Sequence, residues 1–111
     1  MKFDDYQYLA ETMAIYPDKR EVGGLVYTAL GLGGEAGEIL GKVKKILRDG
    51  DGKLTAEERD KIIDELGDLL WCVSQFAIEL DVSLSTVAVR NLWKLSDRAK
   101  RGVLKGDGDD R

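Results

Sequence analysis

Apolar residues recur at helical spacing through most of this chain, and nowhere do they alternate with polar ones as in a strand. The first stretch predicts a helix from about Phe3 to Tyr16, opened near Asp4 or Asp5 and closed by Pro17, the one proline. A second helix spans about Gly24 to Arg48, with Leu25, Ala29, Leu32, Ala36, Ile39, Val43 and Ile46 on one face. A third runs from about Ala56 to Leu80, with a stripe of Ile62, Leu66, Leu69, Val73, Phe76 and Leu80. A fourth starts after Ser83, an N-cap residue, and carries Val87, Leu92 and Leu95 toward about Lys100. The pattern predicts one all-α domain, a four-helix bundle over residues 1–101, with GVLKGDGDDR as a mobile tail covering 102–111. The short Asp49–Leu54 connection makes the second and third helices antiparallel neighbours.

Two pairs of acids sit inside these apolar-periodic stretches, where a carboxylate is costly unless something compensates it. Glu35 and Glu38 lie in GLGGEAGEIL, and Glu65 and Asp68 in IIDELGDLLW. Residues three apart in a helix lie about 60° apart around the axis, so each pair projects to one side. Both pairs fall about 16–21 Å from the intervening turn at 1.5 Å per residue, so they are expected to meet. Four carboxylates without nitrogen or sulfur ligands favour a hard cation, Mg²⁺ or Mn²⁺.

The surroundings of the quartet carry further signals. Gly31, Gly33, Gly34, Gly37 and Gly41 each cost about 1 kcal/mol relative to Ala in a helix interior. Such a run suggests either very close helix approach or room for a ligand. Lys42 follows Glu38 by one turn, the spacing of an ordinary surface pair. On the fourth helix Asn91, Lys94, Arg98 and Arg101 form one polar-cationic stripe, a phosphate clamp if it faces a metal site. Tyr16, Tyr27 and Trp71 offer faces on which a base could stack, and Gln7 or Gln75 could read its edge; each also suits a core position. The loop DGDGKLTAEE imitates a calcium loop, with Gly52 as its glycine and Asp49, Asp51 and Glu58 as ligands. Its first position falls on Leu47, which cannot ligate, and a capping box of Thr55 with Glu58 explains the same residues.

Composition narrows the chemistry. The 111 residues hold 17 Lys+Arg against 21 Asp+Glu, a net charge of −4, which disfavours general nucleic-acid or anionic-membrane binding. There is no His, which removes imidazole bases, His–zinc sites and Ser-His-Asp catalysis. The single Cys72, between Trp71 and Val73, reads as a small buried thiol. Without a leader or a long uncharged apolar run, a soluble cytoplasmic protein is expected. Large apolar faces on a small helical domain predict self-association.

The chain resembles the all-α nucleoside triphosphate pyrophosphohydrolases, specifically the short MazG-like proteins of bacteria and phages. The resemblance rests on Glu35-Ala-Gly-Glu38 followed by Glu65-Leu-Gly-Asp68, within LVYTALGLGGEAGEILGKVKKILRDGDG and DELGDLLWCVSQFAIELDVSL, and on NLWKLSDRAKRG with its GDGDDR ending. It covers about residues 24–111. Many members have a further Glu where this chain has Gly34. The resemblance implies that Glu35, Glu38, Glu65 and Asp68 hold Mg²⁺, and that Asn91, Lys94 and Arg98 meet the nucleotide. It implies hydrolysis of a nucleoside triphosphate to the monophosphate and pyrophosphate, with dUTP, dCTP or dGTP among the substrates, in a homodimer or homotetramer. Glu38 is the expected acceptor of the attacking water's proton. Competing readings are a non-catalytic helical interaction module and a metal-storage bundle, though the latter usually adds Glu-x-x-His pairs.

Overall fold

The computed structural model describes residues 1–50 and 52–111. It holds four helices in the order α1 (Phe3–Glu11), α2 (Val22–Asp49), α3 (Ala56–Glu79) and α4 (Leu84–Lys100), with no strand among the described residues. The all-α expectation holds.

The first helix is shorter than its apolar pattern suggested. It ends at Glu11, and Thr12 donates its hydroxyl to Leu9 O at 2.6 Å in place of continuing the ladder. Residues 12–16 then peel away and bury Ala14 and Tyr16 against the rest of the chain. Tyr16 precedes Pro17, a position that disfavours helical backbone in any case. The next segment wraps the far end of α3. Arg20 N donates to Glu79 Oε2 at 2.7 Å, Tyr16 Oη donates to Glu79 Oε1 at 2.8 Å, and Gly24 N reaches Asp18 O at 2.9 Å. A side chain at Gly24 would collide with Asp18 O and the Glu79 carboxylate, so glycine is needed here to start α2.

Helices α2 and α3 form the main packed pair, and their contacts run in opposite order. Gly24 lies at Glu79, Gly31 at Cys72, Glu35 at Asp68, and Lys42 at Glu65. Thr55 opens α3 with a full capping box, its hydroxyl accepting from Glu58 N at 3.1 Å while Glu58 returns the bond to Thr55 N at 3.0 Å. That engages Glu58 as a cap. Asp51, the fifth position of the calcium-loop reading, lies outside the described residues.

α4 leaves α3 at a 99° bend. Its first turn is held by side chains from α1. Gln7 Oε1 accepts from Leu84 N at 3.0 Å, Asp4 Oδ1 accepts from Ser85 N at 3.1 Å, and Ser83 Oγ takes Thr86 N at 3.1 Å. Three otherwise orphaned helix donors are thereby satisfied, two of them by residues far away in sequence. Gln7 also donates to Val82 O at 3.2 Å, so it serves as a fixed strut. α4 packs on α1 and α3 and makes no approach to α2.

The packed interior is small and partly polar. Fully enclosed positions on α3 are Cys72, Ser74, Gln75 and Ala77, whereas its stripe residues Leu66 and Leu80 remain half exposed. The radius of gyration is 16.9 Å, against about 13 Å for a compact domain of this length. Among the described residues, no single helix is long and apolar enough to cross a membrane.

Candidate metal centre and its surroundings

Glu35 on α2 and Glu65 and Asp68 on α3 each present a carboxylate oxygen, all within 4.8 Å of one another. Opposite-running contacts bring them level, because both acidic pairs sit at similar depth from the α2–α3 turn. Glu38 does not join them. It lies 60° further around α2 on the exposed side, so the quartet expected from spacing is a trio with one outlying carboxylate.

The trio is under electrostatic stress. Burial pushes the Glu35 carboxyl up from the ordinary range, and the charges of Asp68, Glu65 and Glu38 push it further, together with a hydrogen bond to Glu65. Among the described residues, one cation answers this crowding directly: Lys42 Nζ reaches Glu65 Oε1 at 3.3 Å. Sequence spacing pairs Lys42 with Glu38 on its own helix, whereas the fold turns it across to α3. An all-oxygen donor set of three converging carboxylates, held by two rigid helices and short of positive charge, fits Mg²⁺ or Mn²⁺.

Beside the trio lies a cleft of about 560 Å³ lined by Tyr27, Leu30, Gly31, Glu35, Asp68, Trp71 and Cys72. Of the five clustered glycines, Gly31 alone is tightly approached, with an added Cβ 3.3 Å from Cys72 Sγ. Gly33, Gly34, Gly37 and Gly41 would place a Cβ in open space, so close helix packing explains one glycine of the run. Two aromatics wall the cleft. Tyr27 stacks on Tyr16 with ring centroids 5.2 Å apart, and Trp71 meets Tyr16 edge-on at 6.4 Å while donating Nε1 to Ala10 O at 3.3 Å. Tyr16 itself is buried, its hydroxyl held by Glu79, so it backs the wall and leaves Tyr27 and Trp71 to face the space. Gln75 is fully enclosed, with neither amide atom bonded, and does not line the cleft. Burial and the nearby Glu35 and Asp68 push the Cys72 thiol up, which makes it an inert wall.

The expected nucleotide residues of α4 lie elsewhere within the chain. Asn91 and Lys94 line a separate cleft with Leu80, Val82, Val87 and Arg90. From Asp68 to Glu79, α3 advances about 16 Å before α4 turns away. Arg98 is 4% exposed. Its Nη2 donates to Asp109 O at 3.0 Å and contacts Asp109 Oδ1 at 3.4 Å, and Lys94 Nζ meets the same Oδ1 at 3.2 Å. The closing segment, expected to be mobile, thus folds back along α4. Arg111 Nη1 donates to Gly108 O and Arg101 Nη2 donates to Arg111 O, both at 2.6 Å. A tail that returns to its own helix leaves no periodic signal, although Asp109 and the glycines that permit its turns were visible in GDGDDR.

The chain is 55% identical to the "Gene 37 protein" of Mycobacterium phage L5 over 114 residues, covering all of both chains. No solved structure matches it. Residues 27–103, which carry both acidic pairs and all of α4, match the MazG nucleotide pyrophosphohydrolase domain, and the chain belongs to that family.

Proposed function

We propose that this protein is a Mg²⁺-dependent nucleoside triphosphate pyrophosphohydrolase of the nucleotide pool, cytoplasmic, and acting on deoxynucleotides such as dGTP, dUTP or dCTP. Family membership supports nucleotide pyrophosphohydrolysis as the class of activity. The observation that carries the finer reading is the trio of Glu35, Glu65 and Asp68 converging within 4.8 Å at the edge of an aromatic-walled cleft.

In this reading Glu35, Glu65 and Asp68 would hold Mg²⁺, with Mn²⁺ as a substitute. When bound, the ion neutralises phosphate charge and acidifies water. Tyr27 and Trp71 sandwich or edge the base, and the cleft they line with Leu30 and Gly31 admits the sugar next to the carboxylates. Glu38, exposed and outside the trio, is a free carboxylate one turn from Glu35, suited to take a proton from the attacking water. Water adds to the α-phosphorus, and the bond to the bridging oxygen breaks with its electron pair leaving on pyrophosphate. Antiparallel α2 and α3 supply the rigid frame that keeps these groups in register.

The assembly is a homodimer or homotetramer. Large apolar side chains support this: Leu30, Leu40 and Trp93 are each about 70% exposed, an amount a solitary small domain rarely tolerates. Asn91, Lys94 and Arg98 serve the nucleotide through that assembly, Asn91 and Lys94 arriving from a second copy and Arg98 anchoring the segment that holds Lys94.

The test is hydrolysis of a panel of ribo- and deoxynucleoside triphosphates with Mg²⁺ or Mn²⁺, reading pyrophosphate against orthophosphate. Pyrophosphate release from one or more deoxynucleotides is expected. No release from any of them, with no thermal shift from metal plus nucleotide, would leave a helical interaction module as the reading.

A further inference from the structure

We propose that the lysine-lined cleft at the α2–α3 turn is a diphosphate site, taking the β- and γ-phosphates of the bound nucleotide and the pyrophosphate it becomes. The proposal rests on the reading of the acidic trio as a nucleotide-hydrolysing centre. The cleft measures about 530 Å³, and four lysines from three segments line it: Lys42 and Lys45 from α2, Lys53 from the turn and Lys61 from α3. A chain with net charge −4 that gathers four cations around one concavity creates a local field opposite to its overall sign.

Among the described residues, the acids on the cleft wall are already engaged. Asp49 is held by Arg48 through two bonds at 2.7 and 2.8 Å, and Glu58 Oε1 is taken by Thr55 N at 3.0 Å. Lys61 shares Glu57 at 3.0 Å, and Lys42 shares Glu65 at 3.3 Å. Lys45 and Lys53 make no ion pair with any described residue. Two ammonium groups unpaired with any described residue and two partly committed ones suit a compact, multiply charged anion.

Position makes the case specific. Lys42 lines the cleft and also touches Glu65, so one side chain links the cleft to the trio. On the other side of the trio, Glu35 and Asp68 line the aromatic cleft. Three features therefore follow one another along the α2–α3 groove: aromatic walls, converging carboxylates, then lysines. That is the order of base, α-phosphate and terminal phosphates in a nucleotide. Along α2, Lys42 and Lys45 lie about 10 and 15 Å beyond Glu35, the direction a triphosphate must extend if its base rests on Tyr27 and Trp71. Arg98, by contrast, is enclosed and Lys94 is held by Asp109 in the same chain.

Titration calorimetry with inorganic pyrophosphate alone tests this on the full chain. The wild type binds, and K45Q/K53Q/K61Q loses at least about tenfold in affinity, which is about 1.4 kcal/mol. Lys45→Gln alone loses about threefold, a safeguard should the triple variant fold poorly. Lys44→Gln removes the same charge from a neighbouring position outside the cleft and retains wild-type affinity. In turnover, the triple variant shows a reduced kcat/KM for the triphosphate with unchanged inhibition by the monophosphate. Pyrophosphate binding by K45Q/K53Q/K61Q and Lys45→Gln equal to that of Lys44→Gln overturns the proposal, even if the wild type hydrolyses nucleotides. Lysine-dependent pyrophosphate binding by a wild type that hydrolyses nothing upholds the site and overturns the enzymatic reading alone.

Discussion

The α2–α3 groove and the region where α4 meets the closing segment both concentrate charge, but they resolve it in opposite ways. In the groove, Glu35, Glu65 and Asp68 crowd like charges together, and the Glu35 carboxyl is pushed up by burial and then by its neighbours. Around α4, Lys94 and Arg98 share Asp109, whose carboxyl is held below its usual range chiefly by Lys94 and then by Arg98. One region is unsatisfied by its own residues and calls for an outside cation. The other is answered within its own chain, although Lys94 still opens onto the cleft it shares with Asn91. Charge density therefore does not identify a site; unanswered charge beside open space does.

The contrast is broken most forcefully by Glu35→Gln. Pyrophosphate release is expected to fall about a thousandfold or more, roughly 4 kcal/mol in barrier. In metal-free buffer near neutral pH the same variant is expected to melt higher than wild type, because an unfavourable ionisation has been removed. Loss of activity with a lower metal-free Tm would mean that the trio is not under the stress its geometry implies.

Glu38→Gln separates ligand from base. Turnover is expected to drop about a hundredfold, within the usual range for a general base, while the thermal shift on adding Mg²⁺ persists. Disappearance of that shift would return Glu38 to the metal ligands.

On the α4 side, Arg98→Met is expected to destabilise the fold by about 2–3 kcal/mol in urea unfolding, since the Gly108 and Asp109 carbonyls lose a charged donor. Lys94→Gln, at a far more exposed position, is expected to leave stability within about 0.5 kcal/mol and to raise KM severalfold. Equal effects on stability from the two substitutions would erase the distinction between a structural post and a substrate contact.

The smallest effect is in the pH dependence, where the two regions carry opposite signs. A carboxyl raised in the folded state binds its proton more tightly there than when unfolded. Glu35 therefore favours the fold below its unfolded pKa, and that contribution is lost as pH rises through the folded value. Asp109, lowered in the folded state, contributes above its unfolded pKa and loses that contribution as pH falls through the folded value. Without metal, the difference in Tm between Glu35→Gln and wild type should widen from pH 5 to 8. The difference between wild type and Asp109→Asn should shrink on acidification toward pH 3.

Much of this was legible in the sequence because it is local. Thr55 and Glu58 announced the start of α3, Ser83 that of α4, and the spacing of Glu35 from Glu65 and Asp68 foretold their meeting across a short turn. The end of α1 was missed since the apolar pattern continues to Tyr16 while Thr12 and Pro17 stop the backbone earlier. Gln7 suited either the edge of a base or a core position and is a buried strut for α4, because its partners Val82 and Leu84 lie across the fold.

The amino-acid order alone determined that this protein is helical and that its acids gather at one level of a helix pair, since capping and periodicity act within a few residues. Only the tertiary structure decided which carboxylate stands apart, which lysines face the groove and that Arg98 is enclosed. Those outcomes depend on rotation about helix axes and on where α4 turns, and neither is encoded by spacing along a single helix.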